Sequence, residues 1–211
     1  MLDVNGVLVE GRPQDGQPWH CDLEADLGIS VQELTNAFFV THWESIVLGA
    51  QDLLPVLSEI LPSVAPNVSS MKLVDYWFAM DSRINEHVLA DVRSARSSGV
   101  PVYLATNQDH MRAEYLMTQL NLGSKVDGMV YSAKTRYKKP QREFFRHAQI
   151  CFGYKRKPLR LIDETLSNLA AVRGEGWGAF HWDGSANLAE IIHDRELLGR
   201  EKGLKYENDT C

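Results

Sequence analysis

From about residue 84 onward, short apolar segments alternate with longer segments whose apolar residues recur at helical spacing. The short segments predict strands, and the longer ones, bounded by residues such as Gly99 and Gly123, predict helices. In chain order the predicted elements are helix 84–98, strand 100–105, helix 109–121, strand 128–131, helix 141–151, strand 159–162, helix 165–173, strand 177–180 and helix 186–198. This alternation is typical of an α/β protein with a parallel sheet and helices on both faces.

The first 83 residues lack this alternation of predicted strands and helices. Residues 1–9 are apolar but interrupted by polar residues, and they predict the end of a buried strand that runs into a turn. Residues 10–18 are rich in turn formers. Residues 19–83 predict helices: one starting at Ser30 with Glu33 as a capping box, one over 52–61 that stops at Pro62, and one containing the aromatic residues 76–78. We therefore predict a core of residues 1–12 and 84–211 with a helical insert over 13–83.

Composition and charge narrow the class of protein. Apolar residues make up 44% of the 211 residues and charged residues 24%, as in an ordinary soluble domain. The net charge of −6 argues against a nucleic-acid binder, because phosphate contacts need an excess of Lys and Arg. No apolar run approaches the roughly 18 residues of a membrane helix, and we expect no membrane partner. Cys21, Cys151 and Cys211 are sparse and lack the spacing of a zinc site, which favours reduced thiols in the cytoplasm.

Polar residues follow four of the predicted strands, and the carboxyl ends of parallel strands are where such sheets bind ligands. A single Asp, a hydroxyl group, a lysine and an acidic pair would meet at one edge of the sheet. These residues are Asp3 and Asn5, Thr106 and Asn107, Lys138 and Lys139, and Asp163 and Glu164.

In this order the residues resemble the haloacid dehalogenase-like hydrolase superfamily. The resemblance is carried by residues 3–8 (Asp-Val-Asn-Gly-Val-Leu), 104–107 (Leu-Ala-Thr-Asn), 138–140 (Lys-Lys-Pro) and 161–168 (Leu-Ile-Asp-Glu-Thr-Leu-Ser-Asn). Each motif is weak alone, whereas the ordered set is specific. The resemblance implies a Rossmann-like core, an α-helical cap inserted after the first motif, and Mg²⁺-dependent phosphoryl transfer through an aspartyl-phosphate. The insert over 13–83 lies where such a cap belongs.

The resemblance also implies roles for single residues. Asp3 would be the nucleophile that attacks phosphorus. Mg²⁺ would be held by Asp3, the main-chain carbonyl of Asn5, Glu164 directly, and Asp163 directly or through a water.

The remaining motifs would bind the phosphoryl group. Thr106 would offer its hydroxyl and main-chain N–H to the phosphoryl oxygens, and Asn107 would help to position the group. Lys139 would place a cation beside Asp3 and the phosphoryl group. The expected partner is a small phosphorylated substrate, bound by a monomer or homodimer.

Asn5 departs from the family pattern. Phosphatases of this superfamily carry Asp two residues after the nucleophile, where it protonates the leaving group and then activates water. Asn has no titratable proton for either step, and such catalysis is typically worth ~10²–10⁴-fold in rate. The metal contact from this position is a backbone carbonyl and survives the change. We therefore expect a metal-binding site with weak turnover of alkyl phosphates.

Three interpretations remain open. The substrate has a good leaving group, as acyl and aryl phosphates do; or the insert supplies another acid; or the site is catalytically impaired and binds a ligand or partner. Candidates for a replacement acid are His20, Asp22, His42 and Glu44. A 2-haloacid dehalogenase is the least favoured interpretation, because it would leave the Asp163–Glu164 pair without a purpose.

Two other folds are excluded on the sequence. Receiver domains of phosphorelay systems gather similar residues, but their acidic pair comes early in the chain and they lack the long insert. P-loop nucleotide binding needs a GxxxxGK[ST] motif, which this sequence does not contain.

Overall fold

A parallel sheet forms the centre of the computed structural model, which describes residues 1–153, 159–184, 188 and 191. Within these residues, β1 pairs in parallel with β2, and β3 pairs in parallel with β4. Leu2 joins the two pairs, because it forms parallel bridges to Leu104 on one side and to Ile162 on the other. The strands are β1 (Leu104–Thr106), β2 (Met129–Tyr131), β3 (Arg160–Asp163) and β4 (Gly178–His181).

Helices surround the sheet and make up most of the rest of the described chain. A short π-helical segment, Thr35–Phe39, joins the second and third of them. The α-helices are α1 (Leu23–Leu27), α2 (Val31–Leu34), α3 (Val40–Val47), α4 (Leu53–Val64), α5 (Ser70–Met80), α6 (Glu86–Ser97), α7 (His110–Thr118), α8 (Ser132–Thr135), α9 (Arg142–Cys151) and α10 (Leu166–Arg173). Most of the helix predicted over 186–198 lies outside the described residues.

Neighbouring strand residues contribute to different hydrophobic clusters. Leu104 and Ile162 pack with the buried face of α6, whereas Ala105 and Leu161 pack with α9 and α10. Successive side chains of a strand point to opposite faces, so each cluster covers one face of the sheet. The predicted α/β class, with helices on both faces of a parallel sheet, is confirmed.

A third cluster consists of buried side chains between Leu23 and Phe78, from the helical segment α1–α5. Met111 and Tyr115 of α7 pack against it. The two pieces of chain that enter and leave this segment lie side by side. Val9 forms an antiparallel bridge to Ile84, and the flanking backbone groups are joined by hydrogen bonds. The helical segment is thus packed on the core at α7 and tied to it by two adjacent strands of chain.

Two predicted element boundaries are wrong. α4 continues through Pro62 to Val64, because a proline in the last turn removes only its own N–H from the hydrogen-bond ladder. The strand predicted over 100–105 is regular only from Leu104, since Pro101 has no N–H and Val102 donates its N–H to the Asp127 side chain. No helix within the described residues is long and apolar enough to cross a membrane.

Candidate active site

Asp3 lies at the carboxyl edge of the sheet, directly after the bridging residue Leu2. Its backbone N–H donates to the carbonyl of Ile162 at 2.9 Å, which fixes it beside β3. Its side chain is buried, and Oδ1 accepts the N–H of Val4 at 2.7 Å. Burial raises the pKa of Asp3, although the neighbouring lysine ammonium works against that change.

Asp163 ends β3 and is fully buried. Its Oδ1 accepts the N–H of Thr165 at 2.8 Å, and Asn168 Nδ2 donates to both carboxylate oxygens at 2.9 and 3.0 Å. Asn168 received no role from the sequence, although it ends the fourth motif and lies in the first turn of α10. The structure assigns it a positioning role: it orients the Asp163 carboxylate.

Lys139 brings these two acids together. Its Nζ lies 2.8 Å from Asp3 Oδ2 and 2.6 Å from Asp163 Oδ2, and the side chain is buried. Asn107 holds the Lys139 backbone from both sides: its Oδ1 accepts the Lys139 N–H at 2.8 Å and its Nδ2 donates to the Lys139 carbonyl at 3.0 Å. The polar atoms of the Asn107 side chain are therefore occupied in orienting Lys139.

Glu164 completes a cluster of three carboxylates. One ligand oxygen from each of Asp3, Asp163 and Glu164 lies within 4.8 Å of the others. Glu164 Oε1 accepts the hydroxyl of Thr165 at 2.8 Å, but Oε2 is buried and has no hydrogen-bond partner among the described residues. The loop after Asp3 approaches this acid closely, since a Cβ added at Gly6 would lie 3.2 Å from Glu164 Cγ.

Asn5 and Thr106 are linked by Gln108, a residue that the sequence analysis missed. Gln108 Nε2 donates to Asn5 Oδ1 at 3.1 Å and to Thr106 Oγ1 at 3.4 Å. Buried Ser132 fixes Gln108 in turn, because its Oγ accepts the Gln108 N–H at 2.9 Å. The position of Gln108, two residues after the strand-end Thr106, was the only signal available in the sequence.

Other predicted residues lie in different surroundings. Lys138 forms an ion pair with Glu44 of α3, and Asp22 forms one with Arg12. The His20 ring packs edge-on against Trp19. In the part of the chain that the structure describes, no hydrogen bond or ion pair joins the four candidate acids of the insert to Asp3, Asn5 or Thr106.

Comparisons with known proteins find relatives in structure alone. No protein-family model matches the sequence, and a search of curated proteins finds no match. A HAD family enzyme from Bacteroides thetaiotaomicron superposes with a TM-score of 0.73 at 15% identity, over 92% of this chain and 97% of that one. A predicted HAD-like family hydrolase from Porphyromonas gingivalis superposes with a TM-score of 0.70 at 15% identity, over 97% of both chains.

More distant structural neighbours include the L-2-haloacid dehalogenase from Xanthobacter autotrophicus. It has a TM-score of 0.59 and 13% identity, with 94% of this chain and 81% of that chain covered. The Bacteroides enzyme has also been solved as a complex with magnesium and inorganic phosphate, with a TM-score of 0.68 and 14% identity over 90% of this chain and 96% of that one. Since these likenesses extend over nearly the whole chain, the protein has the fold of the haloacid dehalogenase-like hydrolases.

Proposed function

We propose that this protein is a Mg²⁺-dependent haloacid dehalogenase-like hydrolase that acts on a small phosphorylated metabolite through an aspartyl-phosphate at Asp3. One observation carries the proposal: three acids from two distant segments of the chain meet within 4.8 Å, with a buried lysine between two of them. The same arrangement offers a nucleophile, a cation and a set of oxygen ligands around one point.

The residues present fit Mg²⁺. The cluster holds three carboxyl groups and a single ammonium group, which contacts Asp3 and Asp163, and hard oxygen ligands are those that Mg²⁺ prefers. The buried Oε2 of Glu164 supports the fit: it has no partner in the described part of the chain, and such an oxygen costs free energy unless a cation or donor satisfies it. The side chains of Asp3, Asp163 and Glu164 and the main-chain carbonyl of Asn5 would hold the ion. Bound there, it would neutralise charge on the phosphoryl oxygens.

The reaction proceeds in two steps at Asp3. A carboxylate oxygen attacks phosphorus, the bond from phosphorus to the leaving oxygen breaks, and that oxygen departs with the electron pair. Water then hydrolyses the aspartyl-phosphate, which releases inorganic phosphate and restores Asp3. Lys139 Nζ and the hydroxyl and N–H of Thr106 stabilise the phosphoryl charge, and Asn107 acts by holding the Lys139 backbone in place.

Asn5 decides which substrates turn over. Its Oδ1 accepts from Gln108, which leaves the Asn5 amide as a hydrogen-bond donor towards its surroundings. An amide donor can stabilise a leaving oxygen but cannot give it a proton. Acyl and aryl phosphates therefore suit the site better than alkyl phosphates. For the same reason the second candidate function is a catalytically impaired protein that binds a phosphorylated ligand.

A phosphate-release assay tests the proposal. With Mg²⁺ present, we expect release from acetyl phosphate and p-nitrophenyl phosphate, weak release from glycerol 3-phosphate, and none in Asp3→Asn. Asp75→Asn, at an exposed carboxylate of α5, serves as the matched control. Activity retained in Asp3→Asn would exclude the covalent mechanism. Tight binding of a phosphate mimic without turnover of any substrate would favour the second candidate.

A further inference from the structure

The backbone of Gln108 is fixed between β1 and α7, and the residue is only 3% exposed. Its N–H donates to Ser132 Oγ at 2.9 Å. Its carbonyl accepts the Ala133 N–H at 3.1 Å and the Ser132 hydroxyl at 3.2 Å. These three hydrogen bonds tie Gln108 to the start of α8, so its position does not depend on a bound ligand.

The side chain of Gln108 offers hydrogens to two residues of the candidate site. An amide nitrogen carries two hydrogens and accepts none. Nε2 donates to Asn5 Oδ1 at 3.1 Å and, in a longer contact of 3.4 Å, to Thr106 Oγ1. Because an amide group is planar, an Asn5 oxygen turned towards Gln108 leaves the Asn5 NH₂ group on the other branch. Thr106 likewise keeps its hydroxyl hydrogen for another acceptor.

Asn5 is exposed, whereas Gln108 lies buried behind it. Among the described residues, no acceptor is hydrogen-bonded to Asn5 Nδ2. The terminal torsion angle of an Asn side chain has a broad distribution with two similar wells, so an Asn5 amide without a partner would present its oxygen about as readily as its nitrogen. The contact with Gln108 therefore selects the orientation in which Asn5 is a donor.

We infer that Gln108 is a positioning residue for phosphoryl transfer: it fixes the Asn5 amide and the Thr106 hydroxyl as hydrogen-bond donors towards the reacting oxygens. This inference rests on the proposed function, in which the leaving oxygen lies beside residue 5. Donors aimed at oxygens that gain negative charge act more strongly in the transition state than in the ground state. Gln108 should therefore affect kcat more than KM, and most for leaving oxygens that gain the most charge.

Phosphate release from phenyl phosphate and from p-nitrophenyl phosphate, with Mg²⁺ present, tests the inference. The nitro group withdraws charge from the leaving oxygen, which then depends less on a donor. We expect Gln108→Met, which removes the donors at similar side-chain length, to lower kcat for phenyl phosphate about tenfold with KM changed less than about threefold. The loss for p-nitrophenyl phosphate should be smaller. Equal losses for the two esters, or a change confined to KM, would overturn the inference.

Gln108→Glu tests the direction of the hydrogen bond at nearly constant shape. A carboxylate at this position accepts from Asn5 Nδ2 and so turns the Asn5 oxygen towards the leaving group. We expect the preference for p-nitrophenyl phosphate over phenyl phosphate to be larger in this variant than in Gln108→Met. Gln119→Met, at the exposed end of α7, is the matched control and should behave like the wild type. A wild-type preference in Gln108→Glu would contradict the inference.

Binding of orthovanadate separates this inference from the proposed function, because it mimics the transition state and needs no turnover. NMR titration of the backbone amides with Mg²⁺ present follows orthovanadate and inorganic phosphate, and it also shows whether each variant is folded. We expect Gln108→Met to bind orthovanadate about tenfold more weakly and inorganic phosphate within about threefold of the wild type. This difference would support the role of Gln108 even if the wild type released no phosphate. Equal orthovanadate binding by both proteins, or none by the wild type, would refute it.

Discussion

The ammonium group of Lys139 lies between the carboxylates of Asp3 and Asp163, and all three side chains are almost fully buried. Removing one partner from such a group leaves buried charge without compensation, which typically costs about 3–5 kcal/mol. We expect Lys139→Met to lower the free energy of unfolding by that amount, measured by urea denaturation without Mg²⁺. Lys134→Met, at an exposed lysine of α8, is the control. A loss below about 1 kcal/mol would show that the two buried carboxylates are stable without the ammonium group, for example because one of them binds a proton.

Asn5 allows the proposed chemistry to be tested by a gain of activity. An Asp at this position would still accept the hydrogen bond from Gln108 and would add a titratable proton for the leaving group. We expect Asn5→Asp to raise turnover of glycerol 3-phosphate at least tenfold, with a smaller gain for acetyl phosphate. Phosphate release gives the readout. The double variant Asp3→Asn/Asn5→Asp should be inactive. No gain in a folded Asn5→Asp variant would point to an acid supplied by the helical segment.

The start of a helix or strand can be predicted from the sequence where a local pattern of residues determines it. Ser30 caps the helix after it, as predicted, because its side-chain oxygen accepts the N–H of Glu33. Prediction was wrong where a tertiary partner decides the boundary, as at Val102, whose N–H goes to Asp127 instead of the ladder. Gln108 was missed for the same reason, since it contacts Asn5 and Ser132, which are distant from it in sequence. Asn168 was missed although its partner Asp163 lies close to it in the chain.

Arg112 shows how a single buried side chain joins two elements. From α7 its guanidinium donates to the carbonyl of Phe78 at 3.1 Å and also to the carbonyl and carboxylate of Asp81, at the end of α5. Its Cζ lies 5.1 Å from the centre of the Phe78 ring and 5.3 Å from that of the Tyr115 ring, within the range of cation–π contacts. These contacts fix the end of the helical segment on the core.

We therefore expect Arg112→Met to lower the free energy of unfolding by about 3 kcal/mol, because hydrogen bonds from a charged group contribute about 1.5–3 kcal/mol and their buried acceptors would be left unpaired. Urea denaturation measures the effect. Arg93→Met, at an exposed arginine of α6, is the control and should change stability by less than about 0.5 kcal/mol. Equal effects of the two substitutions would mean that the Arg112 contacts contribute nothing net.

At the scale of the whole molecule, the order of motifs along the chain predicted which residues converge. Asp3, Lys139 and Asp163 are distant in sequence, but each follows or faces the same edge of a parallel sheet, and the structure places them in contact. The roles assigned to these residues, and the boundaries of the insert at 13 and 83, stay predictions. Substrate choice could not be predicted, because the residues of the helical segment that would contact a leaving group share no motif.

The carboxylate cluster links metal binding to the stability of the whole fold. Asp3 precedes the first turn, whereas Asp163 ends β3 and Glu164 follows it, so an ion held by all three joins segments far apart in the chain. A ligand that binds only the folded state stabilises it by about 2.7 kcal/mol at a concentration 100 times its Kd. We expect Mg²⁺ to give the wild type this gain in urea denaturation, and EDTA to reverse it. Glu164→Gln should lose most of the gain, because it converts a charged ligand oxygen into a neutral amide, whereas Glu114→Gln on α7 should keep it. An equal Mg²⁺ gain in both variants would place the ion elsewhere and leave the buried Oε2 of Glu164 in need of another partner.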